Sequence, residues 1–348
     1  MTESHNLIES RSTSLPTIFS LVQDNQAAAK QEAMIESEEC PGYLRLLDEG
    51  CLSDRVRILE RILAKCVLCP RQCGADRLKG KVGACGVDAR PKVAAMSIHP
   101  WEEPPISGTQ GSGTIFFSGC TLKCLFCQNY PISQLGVGRY ISVEQLADGM
   151  LKLQQRGAHN INLVTATHQI PAVAAAIMLA ATQGLSVPIV YNTSGYERTE
   201  ILRLLDGLVD IYLPDIKYAD GRAAEFCSQR KDYVIYNRPA LLEMWRQVGA
   251  LQVDQQGIAR RGLLVRHMVL PANLSGTHQC LNFLAKEMGS SVWISLMSQY
   301  FPAHQALRSP PLDRKPSAAE YREAFQALIH SGLENGFMQD WGDNGHNS

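Results

Sequence analysis

Three cysteines fall close together in the segment GCTLKCLFCQNY, which follows a short apolar run. Cys120, Cys124 and Cys127 have the spacing C-x3-C-x2-C, with no fourth ligand nearby. A structural zinc ion almost always takes four ligands, and three cysteines cannot all pair as disulfides. Three thiolates on one loop instead suit an iron–sulfur cube, in which they leave one iron open to a substrate. The alternative is a zinc knuckle completed by a distant residue, or thiols that only pack.

A second group of cysteines precedes that loop in a glycine-rich segment with the spacing C-x2-C-x3-C-x11-C. Four thiols in a segment with little apolar content predict a closed metal site, either zinc or an auxiliary iron–sulfur cluster. The cluster would relay electrons or shield the neighbouring site; cysteines that only pack are the alternative. The members of this group are Cys66, Cys69, Cys73 and Cys85. Single buried thiols are expected for the remaining cysteines, which are Cys40, Cys51, Cys227 and Cys280.

The composition argues against nucleic acid and membranes as partners. The 33 basic and 34 acidic residues give a net charge of −1, with no polybasic block to contact a phosphate backbone. The longest apolar stretch is interrupted by Gly184 and Pro188, so it predicts a buried helix followed by a strand. Eleven cysteines without an export signal favour metal binding or catalysis in a reducing compartment. We therefore expect a cytoplasmic protein.

From Thr114 onward, six apolar runs alternate with helical patterns. Near-continuous apolar strands predict an α/β fold with a parallel sheet covered by helices. Polar residues follow every run, and the carboxyl ends of parallel strands form the active face of such folds. These strand ends are Ser118-Gly119, 165–168, 192–195, 215–217, Arg266-His267 and Ser298-Gln299.

The chain is expected to contain four segments. Residues 1–38 are polar and predict a loosely ordered extension, and residues 39–112 predict a helical and Cys-rich segment that ends in an irregular stretch. The strand-and-helix domain is expected over residues 113–336, where Ser142 predicts the N-cap of a helix. Residues 337–348 predict a free tail.

The cysteine loop and its surroundings resemble the radical S-adenosylmethionine (SAM) superfamily. The resemblance covers residues 66–336 and is strongest to a branch similar to the pyruvate formate-lyase-activating enzymes. It rests on the phrases HPWEEPPISGTQGSGTIFFSGCTLKCLFCQNY, NLVTATHQIP, IYLPDIKY, VRHMVLP and SLMSQYFP. It implies a partial (β/α)6 TIM-like barrel with an N-terminal Cys-rich extension. It also implies a [4Fe–4S] cluster on Cys120, Cys124 and Cys127, with SAM on the open iron, where its reductive cleavage yields a 5′-deoxyadenosyl radical.

The resemblance extends to residues of the SAM pocket. Asp215 and Lys217 resemble the D-x-K pair that lines this pocket in glycyl-radical activators. Phe126 resembles an aromatic residue that packs beside the adenine. Thr193 resembles a residue that helps to hold a cation near SAM, although Asn192 stands where an acidic residue is usual.

Two other strand ends are implied to contact SAM or the substrate. Arg266 and His267 match positions with this role, and hydrogen bonds that only seal the barrel mouth are the alternative. After the second strand the activating enzymes carry Gly-Gly-Glu, which meets the SAM amine, but this chain has TATH. Thr165, Thr167 and His168 can make equivalent hydrogen bonds. This departure leaves the substrate open.

Three functions are compatible with these features. The first is a radical SAM oxidoreductase of the glycyl-radical (formate C-acetyltransferase) activating type. Its partners would be a glycyl radical enzyme and an electron donor such as flavodoxin or ferredoxin. The second is radical SAM modification of a peptide or a small molecule. The third is a non-catalytic iron–sulfur electron carrier, which would need no SAM and would leave the polar strand ends without a role.

Overall fold

The computed structural model of the chain describes residues 40–338, so the extension predicted for residues 1–38 and the predicted tail after residue 338 lie outside the described residues. The chain divides into the units Met1–Cys40 and Pro41–Ser348, and all elements below belong to the second. The helices are Gly42–Asp48, Cys51–Ile62, Pro104–Ser107, Tyr130–Ser133, Val143–Gln155, Ile170–Thr182, Thr199–Leu204, Gly221–Ser228, Tyr233–Val248, Thr277–Met288 and Ala318–Ser331. The strands are β1 (Lys92–His99), β2 (Ser112–Phe117), β3 (Arg139–Tyr140), β4 (Ile161–Val164), β5 (Ile189–Thr193), β6 (Ile211–Pro214), β7 (Gln252–Val253), β8 (Ala259–Met268), β9 (Trp293–Met297) and β10 (Asn335–Met338).

The strands form one mostly parallel sheet in the order β10-β9-β8-β6-β5-β4-β2-β1-β3, with β7 paired to β8. The six runs predicted as strands are β2, β4, β5, β6, β8 and β9, and each pairs in parallel with the next. Helical crossovers connect them, so their carboxyl ends lie along one edge. The predicted α/β fold is therefore confirmed. Within residues 40–338, β10 and β3 are the edge strands of the sheet and do not pair with each other, so the barrel is partial and TIM-like.

Four strands lie where the sequence predicted none: β1, β10 and the two-residue strands β3 and β7. β1 occupies part of the stretch expected to be irregular, and it pairs antiparallel with β2. Most of its side chains are half-exposed, so no apolar run marks it. The last helix of the domain expected over residues 113–336 ends at Ser331, because Gly332 takes a φ of +78°. The chain then forms β10 alongside β9, across the predicted boundary at residue 336.

Local sequence signals fix two helices as predicted. The hydroxyl of Ser142 accepts a hydrogen bond from the backbone N–H of Gln145 (3.2 Å), whose side chain accepts from the Ser142 N–H (2.9 Å). This capping box satisfies two backbone donors at the start of Val143–Gln155. The Ala-rich helix Ile170–Thr182 is buried along most of its length. No helix between residues 40 and 338 is long and apolar enough to cross a membrane.

Candidate active site

An open cleft of about 430 Å³ lies at the carboxyl ends of the parallel strands. Clefts of about 300–1,000 Å³ commonly hold small molecules and cofactors. The predicted site residues that line this cleft are Cys120, Cys124, Cys127, Thr165, Thr193, Asp215, Lys217 and Arg266. Those that do not line it are Phe126, Thr167, His168 and His267. Most of the predicted site therefore converges at one place.

The cysteine loop leaves β2 through a turn that requires glycine. Gly119 has a φ of +85°, and a Cβ there would lie 2.5 Å from the carbonyl oxygen of Cys85. Lys123, within the loop, also has a positive φ, of +60°. The backbone N–H of Leu122 donates to the sulfur of Cys120 across 3.4 Å. This tight path brings all three thiols of the loop to one cleft.

The other two sulfurs of the loop contact hydroxyl groups. The hydroxyl of Ser228 donates to Cys124 Sγ across 3.0 Å, and Cys127 Sγ lies 3.2 Å from Ser133 Oγ. Burial raises the pKa of Cys124 to about 12, against the opposing effect of the Lys217 ammonium. Such thiols become thiolates when a metal displaces the proton. Three soft donors facing a cleft, with hydrogen bonds of the kind that adjust cluster potentials, fit an iron–sulfur cluster.

Asp215 and Lys217 form an ion pair on the cleft wall. Lys217 Nζ lies 2.6 Å from Asp215 Oδ2, and both side chains are mostly buried. Burial alone would lower the pKa of Lys217, but the Asp215 carboxylate and the neighbouring Cys124 raise it overall. The ammonium therefore stays charged near neutral pH. An ammonium has three donors, so the pair leaves Lys217 able to bind a carboxylate or hydroxyl in the cleft.

Thr165 holds a strained backbone conformation at the end of β4. Its φ of +60° is unusual for a β-branched residue. Strain of this kind costs about 1–3 kcal/mol and clusters at functional sites. The backbone N–H of Thr165 still continues the ladder by donating to the carbonyl of Asn192 (2.9 Å). The strain therefore arises in the turn that aims this residue at the cleft.

A buried carboxylate that the sequence did not indicate lies behind the cleft. Glu197 Oε1 accepts hydrogen bonds from the hydroxyls of Thr193, Thr167 (2.5 Å) and Tyr191 (3.4 Å). Burial raises the pKa of Glu197 to about 7, although these hydrogen bonds oppose the shift. Thr193 therefore lines the cleft with its hydroxyl committed to Glu197. Glu197 follows a strand end by several residues, so no motif identified it.

Thr167 and His168, which were expected to contact SAM, lie behind the cleft wall. The short helical turn Thr167–Gln169 follows β4 and carries both side chains into the interior. Thr167 bonds to Glu197, and His168 Nε2 lies 2.8 Å from the carbonyl oxygen of Ser118. Burial lowers the pKa of His168 to about 4, so its imidazole is neutral. The structure thus places neither side chain in the pocket.

Phe126 and His267 also face away from the cleft. Phe126 is buried and packs edge-on against Tyr300, with ring centroids 5.6 Å apart. His267 Nε2 lies 3.0 Å from the hydroxyl of Thr277, and its Nδ1 contacts a backbone carbonyl. Because successive strand residues point to opposite faces, His267 points away from the cleft that its neighbour Arg266 lines. Both side chains support the wall of the pocket.

Arg266 reaches the cleft but already has two carboxylate partners there. Its guanidinium bonds to Glu102 and Glu103, and its Nε lies 2.7 Å from Glu103 Oε1. The side chain of Asn162 donates to Glu102 across 3.0 Å. Burial would raise the pKa of Glu103, but Arg266 holds it below its usual value. The segment between β1 and β2 thus enters the barrel. Arg266 and Glu103 are 163 positions apart in the sequence, so no local signal predicts their contact.

The N-terminal cysteine group lies outside the cleft lining. Its thiols are buried at Cys66, Cys69 and Cys85 and exposed at Cys73. Among residues 40–338, no three or more His, Cys, Asp or Glu side chains are arranged around a position for one metal ion. In an iron–sulfur cluster the thiolates are shared among several irons, so they need not converge on one point. Of the single cysteines, Cys227 and Cys280 are buried as predicted, whereas Cys51 is exposed.

The chain is similar to several known proteins. The chain is 27% identical over 292 residues to the uncharacterized protein MJ0674 of Methanocaldococcus jannaschii, covering 81% of this chain and 80% of that protein. It also matches the crystal structure of HydG, a maturase of the [FeFe]-hydrogenase, with 13% identity and a TM-score of 0.46. That match covers 92% of this chain but 66% of HydG, just under two thirds, and carries no inference about activity. The family model of the radical SAM superfamily matches residues 114–238, which include the cysteine loop and the Asp215–Lys217 pair. Residues 114–238 are therefore similar to the radical SAM superfamily.

Proposed function

We propose that this protein binds a [4Fe–4S] cluster through Cys120, Cys124 and Cys127 and cleaves SAM reductively to generate a glycyl radical on a protein partner. The observation that carries the proposal is the convergence of these three thiols and the Asp215–Lys217 pair on one cleft. When bound and reduced, the cluster supplies the electron that breaks the sulfonium bond of SAM. A cytoplasmic electron donor such as flavodoxin or ferredoxin is the expected source of that electron.

The residues of the chain hold SAM in this proposal. Lys217 offers its remaining donors to polar groups of SAM, while Asp215 fixes the position of the ammonium. Thr165 presents its side chain to the same space. Thr193, held by Glu197, shapes the wall between them. Pre-positioned side chains of this kind lower the entropic cost of reaching a reactive geometry.

The rim of the cleft has a feature that favours a macromolecular substrate. Trp101 lines the cleft yet is 76% exposed, and its indole meets the ring of His99 edge-on at 5.7 Å. Exposed aromatic residues at a cleft mouth are suited to anchor a peptide loop. The likeness of the cysteine loop and strand ends to glycyl-radical activators supports a glycine of a partner enzyme as the target.

Modification of another peptide or of a small molecule is the second candidate function. It is favoured by the turn after β4, where strained Thr165 is followed by Thr167 and His168 in the interior. A different turn at the SAM amine permits a different placement of the substrate.

Two measurements test the proposal. The EPR spectrum of the reduced, reconstituted protein should change when SAM is added. A spectrum that SAM leaves unchanged would indicate an electron carrier. The protein is then incubated anaerobically with SAM, dithionite and a glycyl radical enzyme from the same cell. An organic radical on the partner chain is expected. SAM cleavage without a radical on the partner would instead favour modification of a peptide or small molecule.

A further inference from the structure

The N-terminal cysteine group, defined as Cys66, Cys69, Cys73 and Cys85, is wrapped tightly by its own backbone. Gly83 lies directly against two of the sulfurs: a Cβ there would be 3.1 Å from Cys73 Sγ and 3.5 Å from Cys85 Sγ. Cys66 closes the segment through its backbone, since its N–H donates to Ala75 and its carbonyl accepts from Gly74, both across 3.0 Å. Cys73 and Cys85 are thus held close to each other, and the backbone of Cys66 closes the same segment.

A buried positive charge beside these thiols lacks a carboxylate partner. Arg77 is 1% exposed, and its guanidinium donates to the carbonyl of Asp88 (2.6 Å), to the carbonyl of His168 (2.6 Å) and to Cys66 Sγ (3.7 Å). Burial would raise the pKa of the Asp88 carboxyl, but its pairing with Arg90 lowers that pKa overall, and Arg77 adds a smaller attraction. Among the described residues, Arg77 forms no ion pair. A buried guanidinium needs a compensating negative charge nearby.

Metal-bound thiolates supply that negative charge. Protonated thiols carry no charge and cannot supply it. A metal centre replaces these protons and converts all four cysteines to thiolates, whose combined charge outweighs that of the metal core. Arg77 then faces an anionic centre.

The site lies between the protein surface and the cysteine loop that carries Cys120. Cys73 is exposed, whereas Cys85 presents its carbonyl oxygen to Gly119, the residue before Cys120. His168 connects the same two places: its carbonyl accepts from Arg77 and its imidazole contacts Ser118. One edge of the group therefore meets solvent and the other meets the loop of the first cluster.

We propose that the N-terminal cysteine group binds a second [4Fe–4S] cluster and passes electrons inward from an external donor. One electron enters at the Cys73 edge from a reduced one-electron carrier, which is oxidised, and leaves toward the Cys120 loop. It ends on one SAM, whose sulfonium–C5′ bond breaks to give methionine and the 5′-deoxyadenosyl radical, with no proton transferred. The existence of the second cluster does not depend on the proposed function. The role of this cluster as an electron relay rests on the proposed function.

Metal analysis tests the site itself. The triple variant Cys120→Ala/Cys124→Ala/Cys127→Ala removes the first set of ligands. After anaerobic reconstitution it should retain about four irons per chain and a cluster EPR signal on reduction. Adding Cys69→Ala and Cys73→Ala should remove that iron, whereas adding the exposed Cys51→Ala should not. Zinc in place of iron, or a triple variant without metal, would overturn the proposal.

The relay is tested by comparing reductants in the Cys69→Ala/Cys73→Ala variant. Dithionite is small enough to enter the open cleft and reduce the cluster on the cysteine loop directly, so SAM cleavage with dithionite should persist. Cleavage driven by reduced flavodoxin should fall by about tenfold or more relative to Cys51→Ala. Equal losses with both reductants, or none with flavodoxin, would reject the relay. If the wild type cleaves no SAM, the proposed function fails while the metal result still decides the site.

Discussion

The Nζ atom of Lys217 lies 2.6 Å from Oδ2 of Asp215 on the wall that faces the three cysteines. The pair is mostly buried, so each charge depends on the other for compensation. Two residues apart on the exit from β6, these side chains link the sheet to the cleft. Their separation and burial make them the part of the proposed SAM pocket most open to a direct test.

Asp215→Asn should weaken SAM cleavage without removing the cluster. Without its carboxylate partner, Lys217 loses both its fixed position and its charge compensation. We expect the activity to fall by about 10- to 100-fold, measured as 5′-deoxyadenosine formed per cluster. Asp148→Asn breaks an exposed ion pair with Lys152 and serves as the control; its effect should be within about 1 kcal/mol of stability. Unchanged activity in Asp215→Asn would remove this pair from the site.

Thr165→Gly should relieve strain and impair the pocket together. Glycine adopts the φ of +60° without the steric cost that threonine bears. We expect the free energy of unfolding to stay equal or to rise by about 1 kcal/mol, while SAM binding weakens in titration calorimetry. Ala272→Gly, at a φ of +53° on the surface outside the cleft lining, should leave SAM binding unchanged. A variant that is less stable and binds SAM normally would contradict this account of Thr165.

Gly119→Ala should damage the cysteine loop and the N-terminal cysteine group together. Its Cβ would meet the carbonyl oxygen of Cys85 at 2.5 Å, in addition to the strain of a φ of +85°. Gly289 has a similar φ of +82° with open space around it, so Gly289→Ala reports the backbone strain alone. That strain should cost about 1–2 kcal/mol. Iron content after reconstitution should fall only in Gly119→Ala, and equal iron content in both variants would refute the contact.

Glu197 should make the stability of the protein depend on pH. Burial raises the pKa of its carboxyl from 4.5 to about 7 in the folded state. Below pH 4.5 both folded and unfolded states hold the proton. As the pH rises toward 7 only the unfolded state loses it, so the folded state becomes less stable and the loss levels off above 7.

The Glu197→Gln variant should lack this decline. Denaturant unfolding of both proteins across pH 5 to 8 should show a stability difference that grows in favour of the variant, by an amount on the order of a few kcal/mol. Glu225→Gln, which changes an exposed carboxyl, should follow the wild type. A difference that stays constant with pH would mean that Glu197 titrates normally in the folded protein.

The sequence predicts those parts of the molecule that depend on local patterns. Six strands of the parallel sheet follow from apolar runs, and the N-cap at Ser142 follows from its position before a helical pattern. The cysteine loop was placed at a strand end for the same reason. β1 was not predicted because backbone pairing with β2 stabilises it and few of its side chains are buried.

The direction of side chains after a strand end is harder to predict. Thr167 and His168 turn inward because a single helical turn follows β4, and no residue type announces that turn. His267 is different, since two-residue alternation along β8 already excludes it from a cleft that Arg266 enters. The contacts of Arg266 with Glu102 and Glu103 depend on the path of a distant segment. No local signal marks Glu197 either, because the hydroxyls that converge on it come from β5 and from the turn after β4.

The most direct test of the central claim is the formation of 5′-deoxyadenosine from SAM. The anaerobically reconstituted protein is reduced with dithionite, and the product is measured for the wild type, Cys124→Ala and Cys51→Ala. We expect product from the wild type and Cys51→Ala, and none from Cys124→Ala, which should stay folded because the core lies in the strands of the barrel. Product from Cys124→Ala, or none from a wild type that carries iron on Cys120, Cys124 and Cys127, would contradict the account.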